Sequence, residues 1–222
     1  MNDMNEMNGM NDPSGTGTDP TSTSPFTIRY GEAPEQFGML HLPGLRAPDA
    51  DGDQDPAPVV VLVHGGFWRN PYDLTLMDPL AADLLDRGYA VWNIEYRRVG
   101  DDGGGWPGTL TDVAAATDHL VVVAAHHPID LTRVAVVGHS AGGHLALWIA
   151  GRAGLPEGTP DASPVVIPVV AVGQGAVVDL FGAAGKPLGN GAVMEFLGGT
   201  PRCPNATRGP GLGSTPAPEW CR

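Results

Sequence analysis

The segment Gly138-His139-Ser140-Ala141-Gly142 sets one hydroxyl between two glycines. That spacing suits a serine nucleophile, provided the serine stands on a sharp turn between a strand and a helix, where flanking glycines let the two elements approach. The neighbours meet this requirement. Arg133-Val134-Ala135-Val136-Val137 is a short, β-branched apolar run that reads as a buried parallel strand. Gly143-His144-Leu145-Ala146-Leu147-Trp148-Ile149-Ala150 combines helix formers with a continuous apolar surface. In a chain with 32 glycines the bare motif is weak. Its context favours a nucleophile, Ser140, over a Gly-Ser loop that happens to join two elements.

A second cluster lies upstream. Val59-Val60-Val61-Leu62-Val63 reads as a strongly buried strand and runs into His64-Gly65-Gly66-Phe67-Trp68. Two glycines after a parallel strand leave backbone N–H groups free to face a ligand; the alternative is an ordinary tight turn. Asp49, Asp51, Asp53 and Asp55 alternate as in a calcium loop, but no Glu closes the pattern at the required spacing, so a solvated turn is expected and no metal or other cofactor is called for.

The elements that must position these residues follow in order. Residues 1–25 are low-complexity and expected to be disordered. Phe26–Tyr30 and Gln36–Leu42 read as an antiparallel pair of strands. Asp73–Arg87 reads as a helix with Leu74, Leu76, Leu80, Leu84 and Leu85 toward a sheet. Ala90–Tyr96 is the next strand, and Trp106-Pro107 opens a long helix reaching about Ala125, with Pro107 near its first turn. Ile129–Leu131 is a connector before the strand that ends at Ser140. Val165–Gly173 is a further strand interrupted by Pro168, which suggests an edge or a bulge; Ala176–Leu180 ends this strand region. Gly191–Leu197 forms one short helix. Strands alternating with helices imply an α/β domain over residues 26–200: a mostly parallel sheet with helices on both faces. Active sites of such sheets gather at the carboxyl ends of strands, where the His64 loop and Ser140 both fall.

Composition narrows the function classes. The chain has 222 residues, enough for one core, and a net charge of −13, which argues against nucleic acid or an anionic membrane as partner and otherwise reads as solubility. Both cysteines, Cys203 and Cys221, fall in the last segment, so no disulfide framework crosses the fold. The start shows no basic n-region and no apolar h-region, and no apolar run is long enough to span a bilayer. A cytoplasmic location is expected.

These motifs together resemble the α/β-hydrolase superfamily, and within it the kynurenine formamidase-like esterases and carboxylesterases. His64-Gly65-Gly66-Phe67-Trp68 is similar to that group's H-G-G-x-W. Glu95-Tyr96-Arg97, Trp106-Pro107 with Asp112, Gly138-His139-Ser140-Ala141-Gly142-Gly143-His144 and Val178-Asp179-Leu180 follow in the group's order. The resemblance covers about Phe26 to Gly199. It implies acyl transfer from a carboxylic ester or aryl formamide to Ser140, with the N–H groups of Gly65, Gly66 and Ala141 as the oxyanion hole. Phe67 and Trp68 would wall the pocket, or pack in the core. His64 would shape its loop, His139 would be structural, and Glu95, Arg97, Arg98 and Asp112 would fix loops.

A serine needs a base. In this fold the order is nucleophile, acid, histidine, yet no histidine follows His144. Asp179 is a possible, atypical acid. Residues 201–222 are Gly/Pro-rich and without visible period. Synonymous codons for Pro201–Thr207, read in another frame, can encode Glu-Val-Pro-Glu-Arg-Tyr, which resembles how these hydrolases continue. A reading-frame change near Pro201 is therefore expected, with a shortened natural homologue as the alternative. Catalytic competence is in doubt on these grounds, and a non-catalytic binding protein or an inactive hydrolase fragment are the competing readings.

Overall fold

The computed structural model describes residues 24–44, 55–156, 159 and 161–199. The low-complexity segment through residue 23, the expected acidic turn up to residue 54 and the segment from 200 onward lie outside the described residues.

The core of the protein is a six-stranded sheet of order β1-β2-β4-β3-β5-β6. β1 (Phe26–Arg29), β2 (Phe37–His41) and β4 (Ala90–Ile94) pair antiparallel in succession, whereas β4, β3 (Ala57–Val63), β5 (Ile129–His139) and β6 (Val170–Gln174) are parallel neighbours. The central strands are apolar on both faces because both are covered. Val59, Val61, Val63, Val134 and Val136 face one cluster, which includes residues of α2 (Gly108–Asp118), α3 (Leu120–Ala124) and α4 (Ala141–Gly151). Val60, Leu62 and Val91 face α1 (Asp78–Asp86). This is the mostly parallel sheet with helices on both faces expected from the alternation of elements, and it fits the α/β-hydrolase fold that the motif resemblance implies.

Several boundaries differ from the sequence expectations. The segment from Asp73 begins as a 3₁₀ turn, Leu74–Met77, before α1. That tighter winding shifts the phase, so Met77 and Ala81 turn inward and Leu76 is 53% exposed. The long helix from Trp106 is two helices broken at His119. The β-branched run Val121-Val122-Val123 has low helix propensity, and Asp118 directs its carboxylate away to Arg152 and to the N–H groups of Val165 and Val166. The supposed connector Ile129–Leu131 opens β5: Ile129 and Asp130 pair with Ala57 and Pro58, and the register then jumps to Val59 with Val134. Asp130 holds that irregularity by accepting from the Thr132 N–H and hydroxyl.

At the far edge, β6 starts only at Val170, after Pro168. Val165 and Val166 spend their N–H groups on Asp118 rather than on a ladder. Ala176–Leu180 is likewise not strand: it leads into α5 (Leu180–Ala184), and α6 (Ala192–Phe196) follows.

Among the described residues β6 ends the sheet. Its register pairs Ala135 with Val170 and Val137 with Val172. On that α1 side Ala135 and Val137 are half-buried, and Val170 and Val172 are 51% and 41% exposed. Bare apolar edges invite association, and lysine blunts them. The chain is therefore expected to self-associate by light scattering, and Val172→Lys is expected to shift it toward monomer without lowering its melting temperature. A monodisperse monomer before substitution would contradict this.

Candidate functional site

Ser140 sits between β5 and α4 with φ 55° and ψ −117°. A positive φ at a non-glycine residue stores about 1–3 kcal/mol and persists only where the surroundings hold it. They do: the Ser140 N–H donates to the Gln174 carbonyl at 2.8 Å, and its own carbonyl accepts from the His144 N–H at 3.1 Å. The strained turn thus lies between the last residue of β6 and the first turn of α4. Ala141 is the first residue of α4, so its N–H has no intrahelical acceptor.

The His64 loop meets this turn. A Cβ on Gly65 would fall 2.7 Å from the His139 carbonyl oxygen and 3.3 Å from Ser140 Cβ. Only a residue without a side chain lets the loop come so close. The next three residues, Gly66, Phe67 and Trp68, all have positive φ, at 106°, 58° and 56°. Two large aromatics in that region, beside a strained serine, concentrate backbone strain at one place, as functional sites do.

The structure separates the two aromatics. Trp68 is 1% exposed, stacked on Phe196 at 4.8 Å and edge-on to His144 at 5.6 Å, so it packs as core. Phe67 remains half-buried beside Tyr72. The local sequence assigns neither Phe196 nor His144 a part in the site. Nothing local marks Phe196, which arrives from α6, whereas His144 follows Ser140 by one helical turn.

The histidines are largely committed. His64 is fully buried, with Nε2 2.8 Å from Glu95 Oε1 and Nδ1 2.8 Å from the Gly65 carbonyl oxygen. His144 has a buried Nδ1 without a hydrogen-bond partner among the described residues. His139 is exposed, next to Gly65. His126 is exposed just after α3, and the His127 ring lies tilted against Phe26 at 4.9 Å. Asp179 is exposed and caps α5, accepting from the Gly182 N–H at 2.8 Å. Asp112 is fully buried and receives Arg97 on both oxygens together with Gln36, which pins the loop after β4. Among the described residues no group of three or more His, Cys, Asp or Glu side chains could hold a metal, and no helix is long and apolar enough to cross a membrane.

Burial lowers the His144 imidazole from 6.5 to about 4. Between these values the unfolded chain binds a proton that the folded chain refuses, so stability rises with pH there and is lost as pH falls from about 6.5 through about 4. His144→Asn is expected to flatten this acid slope in urea titrations made across that window. His41 and His119, also lowered by burial, leave a smaller slope of the same sign. An unchanged slope would show that His144 is not the group responsible.

The chain is similar to known hydrolases. Over 123 residues the chain is 36% identical to hydrolase acrC of Aspergillus aculeatus, a stretch that is 51% of this chain and 28% of that protein. Over 120 residues it is 32% identical to the probable carboxylic ester hydrolase LipM of Mycobacterium tuberculosis, covering 54% of this chain and 26% of LipM. The chain thus spans about a quarter of the length of the curated relatives it matches. The tributyrin-phosphonate-inhibited esterase B of Lactobacillus rhamnosis superposes with a TM-score of 0.62 at 26% identity, over 79% of this chain and 56% of that one. Residues 48–184, more than half of the chain, match the BD-FAE family model. On that match the chain belongs to the BD-FAE family, and its fold is the α/β-hydrolase fold.

Proposed function

We propose that the protein has the site of a serine hydrolase of carboxylic esters or aryl formamides, built to act through an acyl-enzyme on Ser140, with turnover in this chain impaired for want of a histidine base. The observation that carries this is the contact of the strained Ser140 turn with Gly65. It supports a reading in which the Ser140 hydroxyl, the N–H at the start of α4 and the N–H groups of the double-glycine loop serve one substrate carbonyl. Ser140 Oγ attacks the substrate carbonyl, its proton passes to a base, and the oxygen of the tetrahedral intermediate is held by the N–H groups of Gly65, Gly66 and Ala141. Collapse expels the alcohol or amine, which takes up a proton, and water then releases the acid by the same route. The kynurenine formamidase-like motifs support aryl formamides as a substrate class, and the ester hydrolases among the relatives support esters.

One observation favours a second reading, a binding protein of impaired catalytic power. Both ring nitrogens of His64 are engaged, and His144 is packed against Trp68 and Phe196. His64 has no nitrogen left for the Ser140 proton, the His144 ring is enclosed between aromatic side chains, and Asp179 spends its carboxylate on a helix cap.

The test is exposure to a short-chain nitrophenyl phosphonate, the chemical type carried by the inhibited esterase B, followed by mass spectrometry. A slow, stoichiometric adduct on Ser140 is the expected result. Reversible binding with no adduct would replace the enzyme reading by the binding one. Parallel assays with a nitrophenyl ester and an N-formyl aromatic amine separate the two substrate classes.

A further inference from the structure

We infer that His64 and Glu95 are positioning residues of this site: a carboxylate–imidazolium clamp that sets the direction of the Gly66 N–H. The inference rests on the reading of Gly66 as an oxyanion donor.

Both neighbours of the His64 ring are acceptors. Nδ1 lies 2.8 Å from the Gly65 carbonyl oxygen and Nε2 lies 2.8 Å from Glu95 Oε1. A carbonyl oxygen has no proton to give. Glu95 has none either, because donors surround it: the Tyr96 N–H at 2.9 Å and the Arg98 guanidinium at 3.1 Å on Oε1, and the Leu74 N–H at 3.1 Å on Oε2. A neutral imidazole would therefore set a lone pair against one of its two acceptors. Only the doubly protonated ring makes both hydrogen bonds.

The surroundings accommodate that buried cation. Glu95 lies between His64 and Arg98, and Arg98 reaches on to Asp101 at 3.2 Å, so two cations alternate with two carboxylates. The ring lies flat on Tyr96 at 4.4 Å, and the Tyr96 hydroxyl donates to the His64 carbonyl oxygen at 2.7 Å. Burial and the Glu95 charge push the Tyr96 phenol well above its ordinary range, so it stays a donor.

The consequence follows from peptide planarity. The Gly65 carbonyl and the Gly66 N–H belong to one planar unit and, across a trans bond, point in opposite directions. Holding that carbonyl on His64 Nδ1–H turns the Gly66 N–H the other way. Glu95 fixes the ring, the ring fixes the peptide, and the donor is oriented before substrate arrives, which is how such donors become effective. No atom of Glu95 needs to touch substrate.

The test uses the 222-residue chain with isotopically labelled histidine and glycine. In neutral buffer, nitrogen NMR is expected to show protons on both ring nitrogens of His64, and Glu95→Gln is expected to move the Gly66 amide resonance. A His64 ring with one protonated nitrogen, or a Gly66 amide unmoved by Glu95→Gln, overturns the clamp. In the kinetic arm, Glu95→Gln is expected to slow phosphonylation of Ser140 by about ten- to hundredfold, below the full loss of one donor, while reversible affinity for the phosphonate changes little. Equal phosphonylation rates overturn the clamp. Absence of any Ser140 adduct in the unsubstituted chain overturns the nucleophile reading instead, and the NMR arm then decides the clamp alone. It also decides the clamp if Glu95→Gln does not fold, because the ring protons are read in the unsubstituted protein.

Discussion

Supplying a histidine to Ser140 is expected to raise ester turnover by about 10⁶, the amount lost when either member of a serine–histidine pair is removed from another serine hydrolase. The 222-residue chain is expected to hydrolyse a nitrophenyl ester only at the residual level left to oxyanion donors and binding, roughly 10³–10⁴ over water. Because nucleophile and base act as a unit, losing the second member after the first costs little. Ser140→Ala is therefore nearly silent in this chain. In a version given a histidine and a supporting carboxylate within hydrogen-bond reach of Ser140, the same substitution removes nearly all turnover. Initial rates of the four proteins settle the matter. Brisk, Ser140-dependent turnover by the 222-residue chain would mean that a base is already present, with His139, exposed beside Gly65, the first suspect.

The second large effect concerns the joint between α4 and the sheet. A Cβ on Gly142 would lie 2.1 Å from the Val63 carbonyl oxygen and 2.3 Å from that of His64. Both are backbone atoms of the strand end and loop that form the site, so neither can rotate aside. Gly142→Ala must push α4 away from β3. Overpacking of this kind costs about 1–3 kcal/mol and more where backbone has to move. The expected result is a fall in melting temperature of several degrees or more, with loss of any phosphonate adduct because Ser140 leaves Gly65. Gly151, at the other end of the same helix, has open space where a Cβ would go. Gly151→Ala is expected to be neutral or to stabilise by about 0.4–1 kcal/mol through the unfolded chain. Equal melting temperatures for the two variants would show that the close packing at Gly142 is not a constraint.

What the sequence determined by itself was whatever depends on local pattern. The apolar runs at Val59–Val63 and Val134–Val137 read as central strands because strands covered on both faces must be apolar at every position. The turn at Ser140 and the loop from His64 were legible because each needs glycines at fixed offsets from a strand end. The mostly parallel sheet followed from the alternation of elements. The sequence did not reveal how the chain divides its hydrogen bonds among distant partners. Val165 and Val166 look like strand and are not, because Asp118, from another element, takes their N–H groups. Leu76 has the right spacing for a helix face and points outward, because the preceding turn winds as a 3₁₀ helix. Trp68 could have lined a pocket; it lies in the core because Phe196, distant in sequence, stacks on it. His64 in an H-G-G motif reads only as a loop residue. That both its ring nitrogens meet acceptors is decided by β4 delivering Glu95 beside β3, a parallel pairing in three dimensions with no local signal.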